Sequence, residues 1–136
     1  IVGEINPMSA DSRHALYPRP AHGSGGRLMR ILGMEEYDYL RTFDRENLCL
    51  VEWSDTAATM AAERIMAASS GRSLILLGGR VKKAFGFKAS PFTTLKCGEV
   101  AVAFLPHPSG RCRHWNMKSA VQLARSAVRR VGVAIP

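Results

Sequence analysis

The feature that most constrains the fold is a continuous apolar run, Ser73–Leu77, with glycines on both sides. Gly71 precedes the run, and Gly78 and Gly79 follow it. A strand with one face in water alternates apolar and polar residues, whereas a parallel strand covered on both faces is apolar throughout. The run therefore predicts a central strand of a parallel sheet with helices on both faces.

Other predicted strands and helices alternate along the chain, which predicts an α/β fold. We expect one domain, residues 1–136, built as a three-layer αβα sandwich around a central, mostly parallel four-stranded sheet. Antiparallel packing remains an alternative. The other predicted strands are Ile1–Glu4, a strand beginning near Leu48 within 47–51, and Glu99–Leu105, and the predicted helices are 26–32, capped by Gly33, Thr56–Ser69 with Asp55 as N-cap, Arg80–Phe85 and Met117–Val131.

Composition limits the class of protein. The chain has 136 residues, 46% of them hydrophobic, and no apolar stretch reaches the roughly 18 residues that span a bilayer. It also shows no secretory leader, so we expect a soluble intracellular protein, in the cytoplasm and without a membrane partner. Cys49, Cys97 and Cys112 are odd in number and widely spaced. This spacing predicts reduced thiols and neither a metal site nor a cofactor.

Positive charge is concentrated in the second half of the chain. The formal net charge is +8, and between Arg80 and Arg130 eleven basic residues accompany a single acidic one, Glu99. Such an excess favours a polyanionic partner, although a basic surface that serves only solubility is the alternative. Polar groups follow three predicted strands, at Glu4–Pro7, Asn47 and His107–Arg111. Because ligands bind at the carboxyl ends of parallel strands, these groups are expected to form one crevice.

At these positions the sequence resembles the uracil-DNA glycosylase superfamily. The segment VGEINP is similar to its first motif, LPHPSGR to its second, NLCL to a central motif, and LILLGGRVKKAFG to the strand and helix between them. The four segments occur in the family's order and span nearly the whole chain. The resemblance is closest to the mismatch-specific and single-strand-selective branches, with features of the thermophile-type branch.

The resemblance implies roles for individual residues. Asn6 would position the water that attacks the sugar C1′, and His107 would stabilise charge on the departing base. Asn47 would read the Watson–Crick edge of the base through its amide. Tyr17 would be the aromatic platform under the base, with His22 as the second choice.

The same resemblance implies DNA contacts from the second motif. Ser109, Gly110 and Arg111 would hold the phosphate backbone, with Arg111 as the wedge that fills the vacated stack, and Arg113 would add a further contact. Two departures stand out, since Met8 replaces the usual glycine after Asn6-Pro7, and Glu4 stands where some branches have glycine. The role of Glu4 stays open between orienting a water, excluding the thymine methyl group, and neither.

The implied function is a monofunctional, monomeric DNA glycosylase that removes uracil or a related pyrimidine by base flipping and water attack at C1′. A catalytically inactive glycosylase-like DNA-binding module is the alternative. A hydrolase of free modified nucleotides is a third possibility, which would depend little on salt.

Overall fold

A computed structural model describes the whole chain, Ile1–Pro136. It contains one five-stranded sheet, five α-helices and two short 3-10 helices, Ser12–His14 and Arg113–Asn116. None of the helices has the length and apolar character needed to cross a bilayer. The strands are β1 Val2–Gly3, β2 Glu46–Asn47, β3 Ser73–Leu77, β4 Thr94–Cys97 and β5 Val100–Leu105, and the helices are α1 Ser24–Leu32, α2 Glu36–Thr42, α3 Asp55–Ala67, α4 Gly79–Ala84 and α5 Ala120–Arg130.

The sheet is mixed, with strand order β2-β1-β3-β5-β4. The β2, β1, β3 and β5 strands run parallel, and β4 pairs antiparallel with β5 at one edge. The predicted α/β class is therefore confirmed. The predicted count of four strands is wrong, because the edge strand β4 adds a fifth.

The predicted central strand is confirmed at β3, and it supplies apolar residues to both faces of the sheet. Ile75 and Leu77 belong to a core cluster with residues of α1, α2 and α5. Leu74 and Leu76 belong to a second cluster with residues of α3 and α4. Burial of each such side chain contributes about 1.5–3 kcal/mol, so each cluster holds its helices against one face of the sheet.

The β2 strand ends earlier than the sequence predicts. It stops at Asn47, and the next residues, Leu48 and Cys49, are buried but bend away from regular strand geometry. Their amides still follow β1, since Leu48 N donates to Gly3 O at 3.0 Å and Cys49 N donates to Glu4 O at 3.0 Å. Asn47 is thus fixed at the carboxyl end of its strand, beside the end of β1.

Helix boundaries differ from the predictions by a few residues at most. Gly33 ends α1 in the left-handed conformation, with φ 69°, as expected for a glycine C-cap. The N-cap of α3 is Ser54 rather than Asp55, because the Ser54 Oγ accepts a hydrogen bond from the Ala57 N–H at 3.2 Å.

Candidate functional site

A cleft of about 1030 Å³ lies at the carboxyl ends of β1, β2 and β5. Four residues that the sequence analysis selected line it together: Asn6, Tyr17, Asn47 and His107. His22, the second choice for the platform, lines it as well. The expected crevice is present because the parallel strands all end at the same edge of the sheet, which brings distant segments of the chain to one place.

Asn47 lies against the backbone of β1. A Cβ atom placed on Gly3 would be 2.6 Å from the Asn47 Oδ1, so only glycine at position 3 leaves room for this amide. The Oδ1 is buried and has no hydrogen-bond partner. An unpaired buried acceptor costs about 1–3 kcal/mol.

His107 and Glu4 meet at Gly78, the residue that follows β3. A Cβ on Gly78 would lie 3.2 Å from the Glu4 Oε1 and 3.3 Å from the His107 Cβ, and Gly78 has φ 94°. A side chain at position 78 would therefore be strained and would press tightly against both groups. Burial lowers the pKa of His107 below its usual value of 6.5, and the Glu4 carboxylate partly opposes that shift. The imidazole is accordingly neutral at pH 7 and has one N–H to donate.

The loop after β5 is held by the backbone carbonyl of His107. This carbonyl accepts hydrogen bonds from the Trp115 Nε1 at 2.8 Å and from the Ser109 N–H at 2.8 Å. Trp115 thus anchors the loop, and its ring packs edge-on against Phe92, with centroids 5.6 Å apart. These contacts fix His107 at the cleft wall.

The predicted DNA-contacting residues do not line this cleft. Ser109 and Gly110 line a neighbouring groove, and Arg111 and Arg113 are exposed and line neither cavity. A wedge role for Arg111 therefore stays a prediction.

The Asn6 amide supports the turn that follows β1. Its Oδ1 accepts a hydrogen bond from the Met8 N–H at 3.0 Å, and its Nδ2 donates to the His14 carbonyl at 3.4 Å. The loop carrying Met8 and His14 is also closed by the Ser9 hydroxyl, which lies 2.8 Å from the His14 Nδ1. Asn6 thus has a structural task, and one lone pair and one N–H of its amide are left for a water.

The Tyr17 ring contacts a residue that lies outside the cleft lining. The Arg45 guanidinium lies 5.4 Å from the centre of its ring, outside the cleft lining, and donates to the Ala15 carbonyl at 2.9 Å. Leu16 has φ 48°, a conformation that non-glycine residues rarely adopt, and its carbonyl accepts the buried Tyr39 hydroxyl at 2.9 Å. These contacts hold the backbone just before Tyr17, whose part-exposed ring lines the cleft.

The ion pairs of the protein leave the positive charge of its second half uncompensated. The five pairs present join Asp11, Glu36, Asp38, Glu46 and Asp44 to arginines at positions 13, 19, 41, 64 and 72. None includes a basic residue between Arg80 and Arg130. The excess positive charge therefore remains available to an anionic partner.

No protein-family profile matches this chain, and searches of curated proteins and of solved structures find no significant match.

The structure adds three residues that the sequence analysis left open or missed. Glu4 lines the cleft as a part-buried carboxylate without a salt bridge, and the sequence had flagged it without choosing a role. Gly3 and Arg45 were not selected. Position 3 could have been suspected because Gly3 lies within the first-motif segment, but the contact of Arg45 with Tyr17 is tertiary and leaves no local signal.

Proposed function

We propose that this chain is a DNA glycosylase that hydrolyses the N-glycosidic bond of uracil or a related pyrimidine after flipping the nucleotide out of the stack. The observation that carries the proposal is the convergence of Asn6, Tyr17, Asn47 and His107, from three segments distant in the sequence, on one cleft. The cleft has room for a nucleotide as well as for its base. The five-stranded sheet, with helices on both faces, is compatible with the three-layer architecture of the glycosylase family.

In this proposal the base enters between Tyr17 and Asn47. The Tyr17 ring stacks on the base, and the Asn47 amide accepts from the N–H of the base and donates to the neighbouring carbonyl. Stacking and these hydrogen bonds offset the few kcal/mol that extrusion from the duplex costs. Because all these groups come from one chain, a monomer suffices. Such a substrate would place the protein with the nucleoid.

The chemical step forms a bond from a water oxygen to C1′ and breaks the bond from C1′ to the base nitrogen. The bonding electrons leave with the base, and the neutral His107 stabilises them by donating its N–H to the base oxygen. The Glu4 carboxylate takes the proton of the water, while Asn6 orients that water. The base anion then takes up a proton from solvent and Glu4 releases its proton to solvent, so the products are the free base and an abasic sugar, and the step needs no metal or cofactor.

The test is strand cleavage by alkali after incubation with oligonucleotides carrying uracil, hydroxymethyluracil or a mismatch. We expect breaks with the parent protein and at least about a hundredfold fewer with Asn6→Ala, the size of effect that one lost stabilising group typically has. Since Asn6 also supports its turn, Asn6→Asp is the matched control, because it keeps the acceptor for the Met8 N–H. Glu4→Gln preserves the size of the side chain and removes the carboxylate that would take the proton of the water. Cleavage at the parental rate by Asn6→Ala and Glu4→Gln alike would exclude both from the mechanism.

One observation favours the alternative of a catalytically inactive DNA-binding module. The Asn6 amide already bonds two backbone groups, as a turn asparagine without a catalytic role would. Tight retention of DNA with no cleavage of any tested base would select this alternative.

A further inference from the structure

A second cavity of about 380 Å³ lies beside the cleft, between α1 and the loop after β5. We call it the arginine groove. It contains no acidic residue, and its walls carry two arginines of α1 on one side and the second-motif loop on the other. The lining residues are Arg27, Arg30, Ile31, Pro108, Ser109, Gly110, Cys112, Trp115, Asn116 and Val121.

Both arginines are held by backbone carbonyls and are not neutralised. The Arg27 Nε donates to the His22 carbonyl at 2.9 Å, and the Arg30 Nη2 donates to the Ala21 carbonyl at 2.9 Å. Neither forms an ion pair. The two Nη atoms of Arg27 make no hydrogen bond in the chain, so this fixed guanidinium keeps the pair of donors that matches a phosphate.

Gly110 brings the loop into direct contact with Arg27. A Cβ on Gly110 would lie 2.9 Å from the Arg27 Nη2 and 3.0 Å from its Nη1. The guanidinium therefore lies flat against the loop backbone at the floor of the groove. This close approach gives the glycine of the HPSG segment a physical reason that is separate from catalysis.

The groove continues from the mouth of the cleft. His107 lines the cleft, and the next three residues, 108–110, line the groove. On the opposite wall the segment 22–25 lines the cleft, and Arg27 follows it into the groove. A strand leaving the cleft between these two walls would meet Arg27 first and then Arg30, one helical turn away on the same face.

We propose that the arginine groove binds the phosphate backbone of the DNA strand flanking the extruded nucleotide, with Arg27 and Arg30 each neutralising one phosphate. This inference rests on the proposed function for the identity of the strand. The binding that it describes can be measured without base excision.

The experiment measures the affinity of unmodified duplex DNA by fluorescence anisotropy between about 50 and 200 mM salt, where counterion release dominates the salt dependence. For Arg27→Gln with Arg30→Gln we expect the slope of log K against log salt to flatten by about 1.8, or about 0.9 per lost phosphate contact. The exposed Arg30→Gln variant alone should flatten it by about 0.9. Because Arg30 lies on the helix surface, this second variant does not depend on the packing of Arg27 against Gly110.

The matched control is Arg41→Gln with Arg72→Gln, which removes the same net charge from two arginines that are paired with Asp38 and Asp44 and lie outside the cleft, the groove and the basic second half of the chain. We expect its slope to stay at the parental value. An equal flattening in the control, or an unchanged slope in the groove variants, would overturn the proposal, as would an effect seen with RNA and absent with DNA.

Excision of uracil separates this inference from the proposed function. If the protein excises uracil, the groove variants should raise KM and leave kcat unchanged, since neither arginine contacts the reacting atoms. A parent protein that binds DNA with the predicted slopes and excises no base would refute the glycosylase and leave the groove intact. A parent protein that excises uracil while the groove variants keep the parental slope would refute the groove and leave the glycosylase proposal intact.

Discussion

Replacement of Gly3 by alanine tests the role of Asn47 without touching its side chain. The new Cβ would lie 2.6 Å from the Asn47 Oδ1, whereas ordinary contact begins at 3.4 Å, so the amide must shift by about 0.8 Å. A misplacement of about 1 Å in a catalytic arrangement can cost about a hundredfold in rate. We therefore expect kcat/KM for uracil excision to fall by about 10- to 100-fold, or about 1.4–2.7 kcal/mol in transition-state stabilisation.

Stability should change little in the same variant. The other close atoms are the Leu16 Cδ1 and Cδ2, at 3.2 and 3.3 Å from the new Cβ, and these are tips of a side chain that can turn aside. Alanine in place of glycine also lowers the entropy of the unfolded chain, worth about 0.4–1 kcal/mol. The free energy of unfolding, measured by urea denaturation, should thus stay within about 1 kcal/mol of the parent.

Single-turnover excision from a labelled uracil oligonucleotide provides the rate. Gly79→Ala is the control, since a Cβ at that position meets no atom within 4 Å. In an Asn47→Ala background, Gly3→Ala should cost nothing further, because the displaced amide is already gone. A folded Gly3→Ala variant with the parental rate, or one whose loss persists without the Asn47 amide, would refute the reasoning.

Three further predictions follow from the same cleft. Gly78→Ala should lower both stability and excision, because φ 94° is costly for alanine by about 1–2 kcal/mol and the new Cβ meets Glu4 and His107; parental values in denaturation and activity assays would contradict this. The pKa of His107 in the folded protein lies below its unfolded value near 6.5, so the unfolded state binds more protons between the two values. The free energy of unfolding therefore falls as the pH drops through that window. His107→Gln should flatten this part of the curve of unfolding free energy against pH relative to the parent. Tyr39→Phe should cost about 1–3 kcal/mol by leaving the buried Leu16 carbonyl without its donor, and it should loosen the adjacent platform, measurable as a higher KM.

The elements that the sequence predicted well carry strong local signals. The β3 strand is apolar on both faces and is bounded by glycines, and its bounds are those predicted. The end of α1 follows from Gly33, which alone can adopt the left-handed conformation there without strain. Each of these signals is contained in a few neighbouring residues, so both elements could be predicted without knowledge of tertiary contacts.

The two missed elements carry weak signals. The β4 strand lies at the sheet edge, where Lys96 and Cys97 are exposed, so it lacks the apolar pattern of the central strands. A usable clue was the two-residue connection Gly98-Glu99, with Gly98 at φ 57°, which is typical of a tight antiparallel hairpin. The α2 helix is short and buries only Tyr39, and so presents no apolar stripe.

The candidate site shows the same division between local and tertiary information. Motif order was enough to predict that Asn6, Asn47 and His107 share a cleft, because parallel strands end on the same side of a sheet. It could not predict how they are held, since Gly3 makes room for the Asn47 amide and Gly78 for Glu4 and His107 only after the strands have paired. Gly3 thus leaves room for the Asn47 amide, and Gly78 leaves room for Glu4 and His107. Substitution at either glycine should therefore impair excision through geometry alone, with every proposed catalytic side chain still present.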